Sequence, residues 1–270
     1  MLTLAATPIG NISDISLRTI DVLSEADILL CEDTRVTKKL LNILKERHNL
    51  ITKDIKFISL HSHNEQQFIQ NLEDDFFTCN VVYLSDAGMP CVSDPGQLLV
   101  KHCIQNGIEY DVLPGANALL TAFVASGMSD TSFMFYGFLP HKGSQRAKAL
   151  LDALYSGYTT IIYEAPHRLE KILKEINDED SSREIFVAKE LSKKFQKYLS
   201  GTASQIIEKL DGNYKGEWVI VIKASKKRVS TLSEKDILEL DIQPKIAAKL
   251  ISKITGESIK DCYNKILKNN

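Results

Sequence analysis

Short apolar, β-rich runs at 2–6, 28–31, 81–84 and 110–113 alternate with helical patterns at 16–25, 34–46, 64–74, 97–106 and 116–126. That alternation constrains the fold more than any other feature. Strand, helix and strand in succession build an open, mainly parallel sheet with helices on both faces. The stretch Ser126-Gly127-Met128-Ser129-Asp130 then reads as a domain boundary. Beyond it, strands are expected at 133–138, 159–163, 185–190, 196–200 and 217–222, and helices at 144–155, 166–177 and 202–210. The segments around 185–200 are too close for a helical crossover and should form a hairpin, so the second sheet is mixed. Residues 224–232 read as a linker, and 233–240, 243–254 and 256–267 as three short helices, with Pro244 near a helix start and Gly256 at a turn. The expected organisation is an α/β domain over 1–127, a second α/β domain over 128–224 and a small helical domain over 230–270.

Charge is unevenly spread. The net charge is −2, yet residues 226–270 carry ten Lys/Arg against six Asp/Glu, so that segment is +4 and the rest −6. A basic appendage on an acidic body points to a polyanionic partner met through one end; a solvated helical surface is the plainer alternative. Lys245, Lys249 and Lys253 recur every four residues and should share one helix face, a spacing suited to tracking phosphates. Five cysteines (31, 79, 91, 103, 262) without CxxC spacing read as reduced thiols of a cytosolic protein. No signal-like leader and no apolar run near the roughly 18 residues of a membrane span is present, so a soluble, cytoplasmic protein without a membrane partner is expected.

The densest candidate site is Ser85-Asp86-Ala87-Gly88-Met89-Pro90-Cys91-Val92-Ser93-Asp94-Pro95-Gly96, directly after the run Val81–Leu84. Gly allows close backbone approach, Pro stiffens the turn, and hydroxyls and carboxylates offer contacts. Such a loop at the carboxyl end of a buried strand is where open α/β sheets bind small molecules. None of the 13 glycines stands two positions from another, so there is no GxG, and the Walker pattern is missing too. This argues against the dinucleotide fingerprint and the commonest methyltransferase turn. In the first turn, Ala6–Asn11, Pro8 removes an N–H and suits a van der Waals wall better than a phosphate cradle.

Four further turns carry chemistry-bearing residues. Glu32-Asp33-Thr34-Arg35 offers a base and an anion contact, or a helix cap at Asp33 or Thr34. His61-Ser62-His63-Asn64-Glu65 has a metal-like look but lacks a further ligand set; no metal is expected, and His63 and Asn64 are read as substrate contacts, with a cap at Asn64 as the alternative. Pro114–Ala118 opens a helix whose first N–H groups are free for a ligand. Tyr163–Arg168 and Ala188–Leu191 each follow an apolar strand with a charged turn, for structural ion pairs or for a shared interdomain cleft.

Taken together, ATPIGN (6–11), EDTR (32–35), HSHNE (61–65), SDAGMPCVSDPG (85–96), PGANA (114–118), GFLP (137–140), YEAPHR (163–168) and AKEL (188–191) resemble, in order, the bacterial small-subunit ribosomal RNA 2′-O-ribose methyltransferases, the cytidine-specific branch of the tetrapyrrole methylase superfamily. The resemblance implies two α/β domains with a donor cleft between them, a small helical carboxyl-terminal domain, S-adenosylmethionine as methyl donor, a homodimer, and 16S ribosomal RNA or the small ribosomal subunit as partner. Its donor contacts fall on Pro8, Ala87, Gly88 and Val92, with Asp86 and Ser93 of the same loop, on Asn117 and Ala118, on Glu164 and Ala165, and on the turn at Lys189 and Glu190. A carboxylate base of some tetrapyrrole enzymes matches Glu32, making Glu32, Asp33 and Arg35 the expected catalytic group. Phosphate contacts are expected at Arg35, Arg168, Lys189, Lys245, Lys249 and Lys253, and an RNA contact at His63. The first loop is poorer in glycine than is usual in the superfamily, and the usual GDP loop appears as SDAGMP; both departures favour the ribosomal branch, at a cytidine in the decoding region. A small tetrapyrrole-like substrate would not need the basic tail. A non-catalytic RNA-binding module would not need a donor pocket.

Overall fold

The computed structural model describes residues 1–270 except 74, 129–131, 226–233, 241 and 270. The chain divides into two compact units, Met1–Ser225 and Lys226–Asn270.

In the first unit, β1 (Leu2–Ala5), α1 (Leu17–Glu25), β2 (Ile28–Cys31), α2 (Thr34–His48), β3 (Lys56–Ser59), α3 (Glu65–Gln70), β4 (Val81–Leu84), α4 (Gln97–Asn106), β5 (Tyr110–Val112) and α5 (Ala118–Ser126) follow one another. The strands pair in parallel in the order β3-β2-β4-β1-β5. All carboxyl ends therefore share one edge, and the loops after β1, β2, β4 and β5 gather there. β1 and β4 are buried along their whole length, with separate apolar cores on the two faces of the sheet. The sequence pattern missed β3. It is an edge strand, Lys-Phe-Ile-Ser, whose end residues are exposed, so no continuous apolar run marks it. α3 also stops at Gln70, short of the expected 74.

The second sheet is formed by β6 (Phe133–Phe138), β7 (Thr159–Glu164), β8 (Ile185–Lys189), β9 (Lys197–Gly201) and β10 (Trp218–Ile222) in the order β6-β7-β10-β8-β9. β6 and β7 are parallel, the other pairs antiparallel, and β8–β9 is the expected hairpin. α6 (Gly143–Tyr155), α7 (Leu169–Glu179) and α8 (Ala203–Leu210) cover one face through Leu150, Leu154, Ile172, Ile176 and Ile206. The other face is covered by α5 of the first half. Its sequence, ALLTAFVAS, is apolar almost all round, and Leu119 and Ala122 pack on Ile161, Ala188 and Val219. The helix is buried on this face only: Leu120 and Val124 remain exposed on the other, although its sequence is apolar there too. The expected 127/128 break thus marks the passage from one sheet to the other inside a single compact unit; Ser129 and Asp130 lie outside the described residues.

The second unit contains α9 (Glu234–Leu238), α10 (Pro244–Thr255) and α11 (Ile259–Asn269) around Ile237, Ala247, Ala248, Ile251, Cys262 and Ile266. Pro244 sits in the first turn of α10, and Gly256 ends it. Most of the expected linker, 226–232, and Ser233 of the first expected helix lie outside the described residues.

Candidate active site

The carboxyl edge of the first sheet and the Glu164, Leu191 and Trp218 corner of the second line a cavity of about 390 Å³, within the range of small-molecule sites. The first half lines it with Ile9, with Ala87 to Met89, with Val92 to Asp94, and with Asn117 and Ala118. The second half contributes Phe138, Tyr163 to Pro166, Leu191, and Glu217 to Val219. Trp218 pairs with both Glu164 and Lys189, so antiparallel insertion of β10 brings its first residues against the last residues of β7 and β8.

The 85–96 loop is held from several sides. Thr7 and Gly88 exchange both backbone hydrogen bonds at 3.0 Å, Thr7 Oγ1 donates to the Ser85 carbonyl, and Ser85 Oγ donates to the Gly88 carbonyl. Gly88 has φ +88, and a Cβ there would lie 3.2 Å from Ile9 Cγ2, at the cavity wall. Only glycine fits that backbone without strain. At the far end the buried hydroxyl of Tyr83 donates to the Pro95 carbonyl. Gly96 (φ +116) would place a Cβ 2.5 Å from the Tyr83 ring. The buried carboxylate of Glu65 accepts from Gly96 N, Leu98 N and Leu99 N at 2.9, 3.0 and 3.3 Å. It caps α4 from another helix, since Gly96 has no side chain to do so. Between these anchors Cys91 and Ser93 adopt left-handed backbones (φ 66 and 69), local strain that the tethers enforce.

Not all of the expected contacts line the cavity. Of the expected donor contacts, Ala87, Gly88, Val92, Ser93, Asn117, Ala118, Glu164 and Ala165 line the cavity; Pro8, Asp86, Lys189 and Glu190 do not. Pro8 leaves the wall to its neighbour Ile9. Asp86 is exposed and accepts from Asp33 N at 3.2 Å. Glu190 Oε1 instead accepts from Glu217 N at 2.8 Å, and this bond, with Lys193, holds its carboxyl below the usual range. Asn117 both lines the cavity and caps α5 through Leu120 N.

The expected catalytic turn behaves mainly as structure. Asp33 caps α2 through Arg35 N at 2.8 Å, and the Arg35 guanidinium on its carboxylate holds it down at about 2. Arg35 is exposed away from the cavity wall. Glu32 also stands off that wall; burial raises its carboxyl, and its Oε1 accepts from Asp86 N at 3.1 Å. Arg168, expected to meet phosphate, is buried. Its NH2 donates to the Leu139 carbonyl at 2.7 Å, and its Nε stands 2.9 Å from Glu164 Oε1, out of line for a hydrogen bond. Arg146 adds a second cation 3.7 Å from Glu164 and a bidentate pair with Glu175. An arginine after a strand end reads as surface, and only packing shows it compensating a buried glutamate.

His63 is exposed, and Asn64 closes its own turn by accepting from His61 N and donating to the Ser59 carbonyl. Among the described residues no group of three or more His, Cys, Asp or Glu is placed to hold a metal. Lys189 Nζ lies 5.3 Å from the centre of the Trp218 ring. Lys245, Lys249 and Lys253 are exposed on α10, opposite its buried Ala247, Ala248 and Ile251. Ile9, Met89 and Asp94 lie within turns that the sequence singles out, without being named there as contacts; the start of β10 was not expected at the site. Phe138 and Leu191 were flagged only as parts of motifs, and nothing local marks Trp218 as a wall.

Residues 1–207 match the family model for tetrapyrrole (corrin/porphyrin) methylases. The chain is 46% identical over 270 residues to a ribosomal RNA small subunit methyltransferase I of Campylobacter fetus, covering 99% of this chain and 100% of that one. It is 44% identical to the protein of the same name from Helicobacter pylori 26695, covering 97% and 96%. Similar solved structures include a cobalt precorrin-4 methyltransferase (TM-score 0.57, 14% identity, 82% of this chain and 93% of that one). A uroporphyrin-III C-methyltransferase from Thermus thermophilus in complex with S-adenyl homocysteine is also similar (TM-score 0.54, 15% identity, 82% and 96%).

Proposed function

Because the chain belongs to the tetrapyrrole methylase family, in its ribosomal RNA small subunit methyltransferase I branch, we propose that it methylates 16S ribosomal RNA from S-adenosylmethionine, at the 2′-hydroxyl of a cytidine. The observation that carries this reading is the apolar cavity closed on the Gly88 backbone. At Gly88 the wall is bare backbone where a Cβ would crowd Ile9, and the lining residues come from both sheets. The bound donor would supply an activated methyl on a sulfonium.

What remains for the protein is alignment, water exclusion and proton management. Ala87, Gly88, Asn117 and Ala118 form the wall that holds the donor, and Glu164, locked by its arginines, fixes the turn at Ala165 opposite them. Val92, Phe138 and Tyr163 give the cavity an apolar lining near which water would be excluded once the donor and acceptor fill it. A ribose hydroxyl is reachable only on a nucleotide splayed from its helix, which favours a loop-like RNA site. Lys245, Lys249 and Lys253 would meet phosphates, and assembly as a cytoplasmic homodimer belongs to the same proposal. No helix among the described residues is long and apolar enough to cross a membrane.

The test is methylation by the purified protein of small subunits from a strain lacking this gene, mapped by mass spectrometry. A single 2′-O-methylcytidine is expected; transfer to a base, or none, refutes the reading. Reversing the three α10 lysines to Glu should weaken RNA binding and lower its salt slope by about 2, at about 0.7 per single-strand phosphate contact, with donor affinity retained.

A further inference from the structure

We infer that Asp94 is the catalytic residue that takes the proton of the acceptor hydroxyl in this cavity, an inference that rests on the proposed methyl transfer to a hydroxyl. The cavity wall carries four titratable side chains: Asp94, Tyr163, Glu164 and Glu217. Three are committed elsewhere. Glu164 is closed between Arg168 and Arg146. The Glu217 side chain is 76% exposed and paired with Lys193 at 2.8 Å. Burial pushes the Tyr163 phenol up to about 12, so it keeps its proton at neutral pH. Asp94 is half-buried, and among the described residues neither a hydrogen bond nor an ion pair holds its carboxylate.

Its position is nevertheless fixed. Ser93 before it is locked in the left-handed region, and Pro95 after it accepts from the Tyr83 hydroxyl and from Cys91 N. Gly96 is tied to Glu65. The backbone thus sets where the side chain starts, while its unpaired oxygens stay free to accept a proton. Glu32, the alternative base, lies off the wall and anchors Asp86 N.

The groups that face Asp94 are Glu32 from the turn after β2, Tyr83 from β4, Asp86 and Cys91 from its own loop, and Tyr163 from β7. None is a cation. Burial first, then repulsion from Glu32 and Asp86, pushes its carboxyl up to about 7, where a general base works best at neutral pH. In the step, the hydroxyl oxygen forms a bond to the methyl carbon and the carbon–sulfur bond breaks with its electron pair going to sulfur. The hydroxyl proton passes to an Asp94 carboxylate oxygen.

The test compares wild type, Asp94→Asn and Asp94→Ala in single-turnover methylation of small subunits against pH, with calorimetry for donor affinity. Wild-type rate should rise with pH through about 7. Asp94→Asn should be slower by about 100-fold or more, the usual scale of a general base, without that rise and with donor affinity within about twofold. Formate should partly restore Asp94→Ala. A second readout needs no activity. Because the folded-state pKa lies above the unfolded one, ionising Asp94 costs stability as pH rises from about 4 to about 7. Asp94→Asn should therefore melt higher than wild type at pH 8, and the gap should shrink towards pH 5. An Asp94→Asn with full rate and the wild-type pH profile, or one that loses donor binding, overturns the inference while leaving the proposed function standing. A wild-type protein inactive on the RNA overturns both.

Discussion

Replacing Glu65 by Ala should loosen the candidate site from outside it. The carboxylate is buried and accepts three backbone N–H groups at the start of α4, two at 2.9–3.0 Å and one weaker at 3.3 Å. Hydrogen bonds to a charged group are worth about 1.5–3 kcal/mol each, but three on one oxygen are not additive, and water will reach part of the vacated space. Taking the two short bonds with discount, the expected loss is about 3 kcal/mol. At roughly 2–4 °C per kcal/mol for a domain of this size, Tm should fall by about 6–12 °C. Gly96 is one of the three donors, so the Asp94-Pro95-Gly96 turn should become mobile as well, and the single-turnover rate should fall more than donor affinity does. Glu65→Gln keeps one carbonyl acceptor but loses the charge that complements the helix dipole, and should lose about half as much stability. Thermal unfolding of the three proteins with single-turnover assays below the lowest Tm measures both effects. A Glu65→Ala protein within about 2 °C of wild type would refute the assignment of Glu65 as the cap of α4.

Gly88→Val should abolish measurable donor binding by calorimetry while the protein still folds: its backbone at φ +88 costs a branched residue about 1–3 kcal/mol, and the new Cβ meets Ile9 3.2 Å away at the cavity wall. Glu164→Ala should cost about 3–5 kcal/mol in urea unfolding because it leaves Arg168 buried without a carboxylate, whereas Arg146 keeps Glu175, and adding Arg168→Met should recover part of that loss; equal stabilities for the single and double variants would show that the pair is not coupled.

The strand–helix alternation, the mixed second half and the three terminal helices were legible because apolar periodicity reports which faces must leave water, whatever they pack against. The 85–96 loop was legible for a similar local reason: Gly, Pro and Ser-Asp pairs after a fully apolar strand announce an unusual backbone. Where periodicity is silent the reading failed, as at the half-exposed edge strand Lys56–Ser59. Side-chain roles were the harder part. Asp33 could be a cap or a member of the catalytic group, and at the α2 N-terminus it is a cap. Glu65 carried the look of a metal ligand, yet it caps a helix 31 residues further on. Arg168 looked like a phosphate contact and is the buried partner of Glu164. Trp218 became a cavity wall because β10 runs antiparallel between β7 and β8. Each of these depends on what lies opposite in space. A charged side chain's chemistry is set by the desolvation and partners it finds there, and local sequence pattern encodes neither.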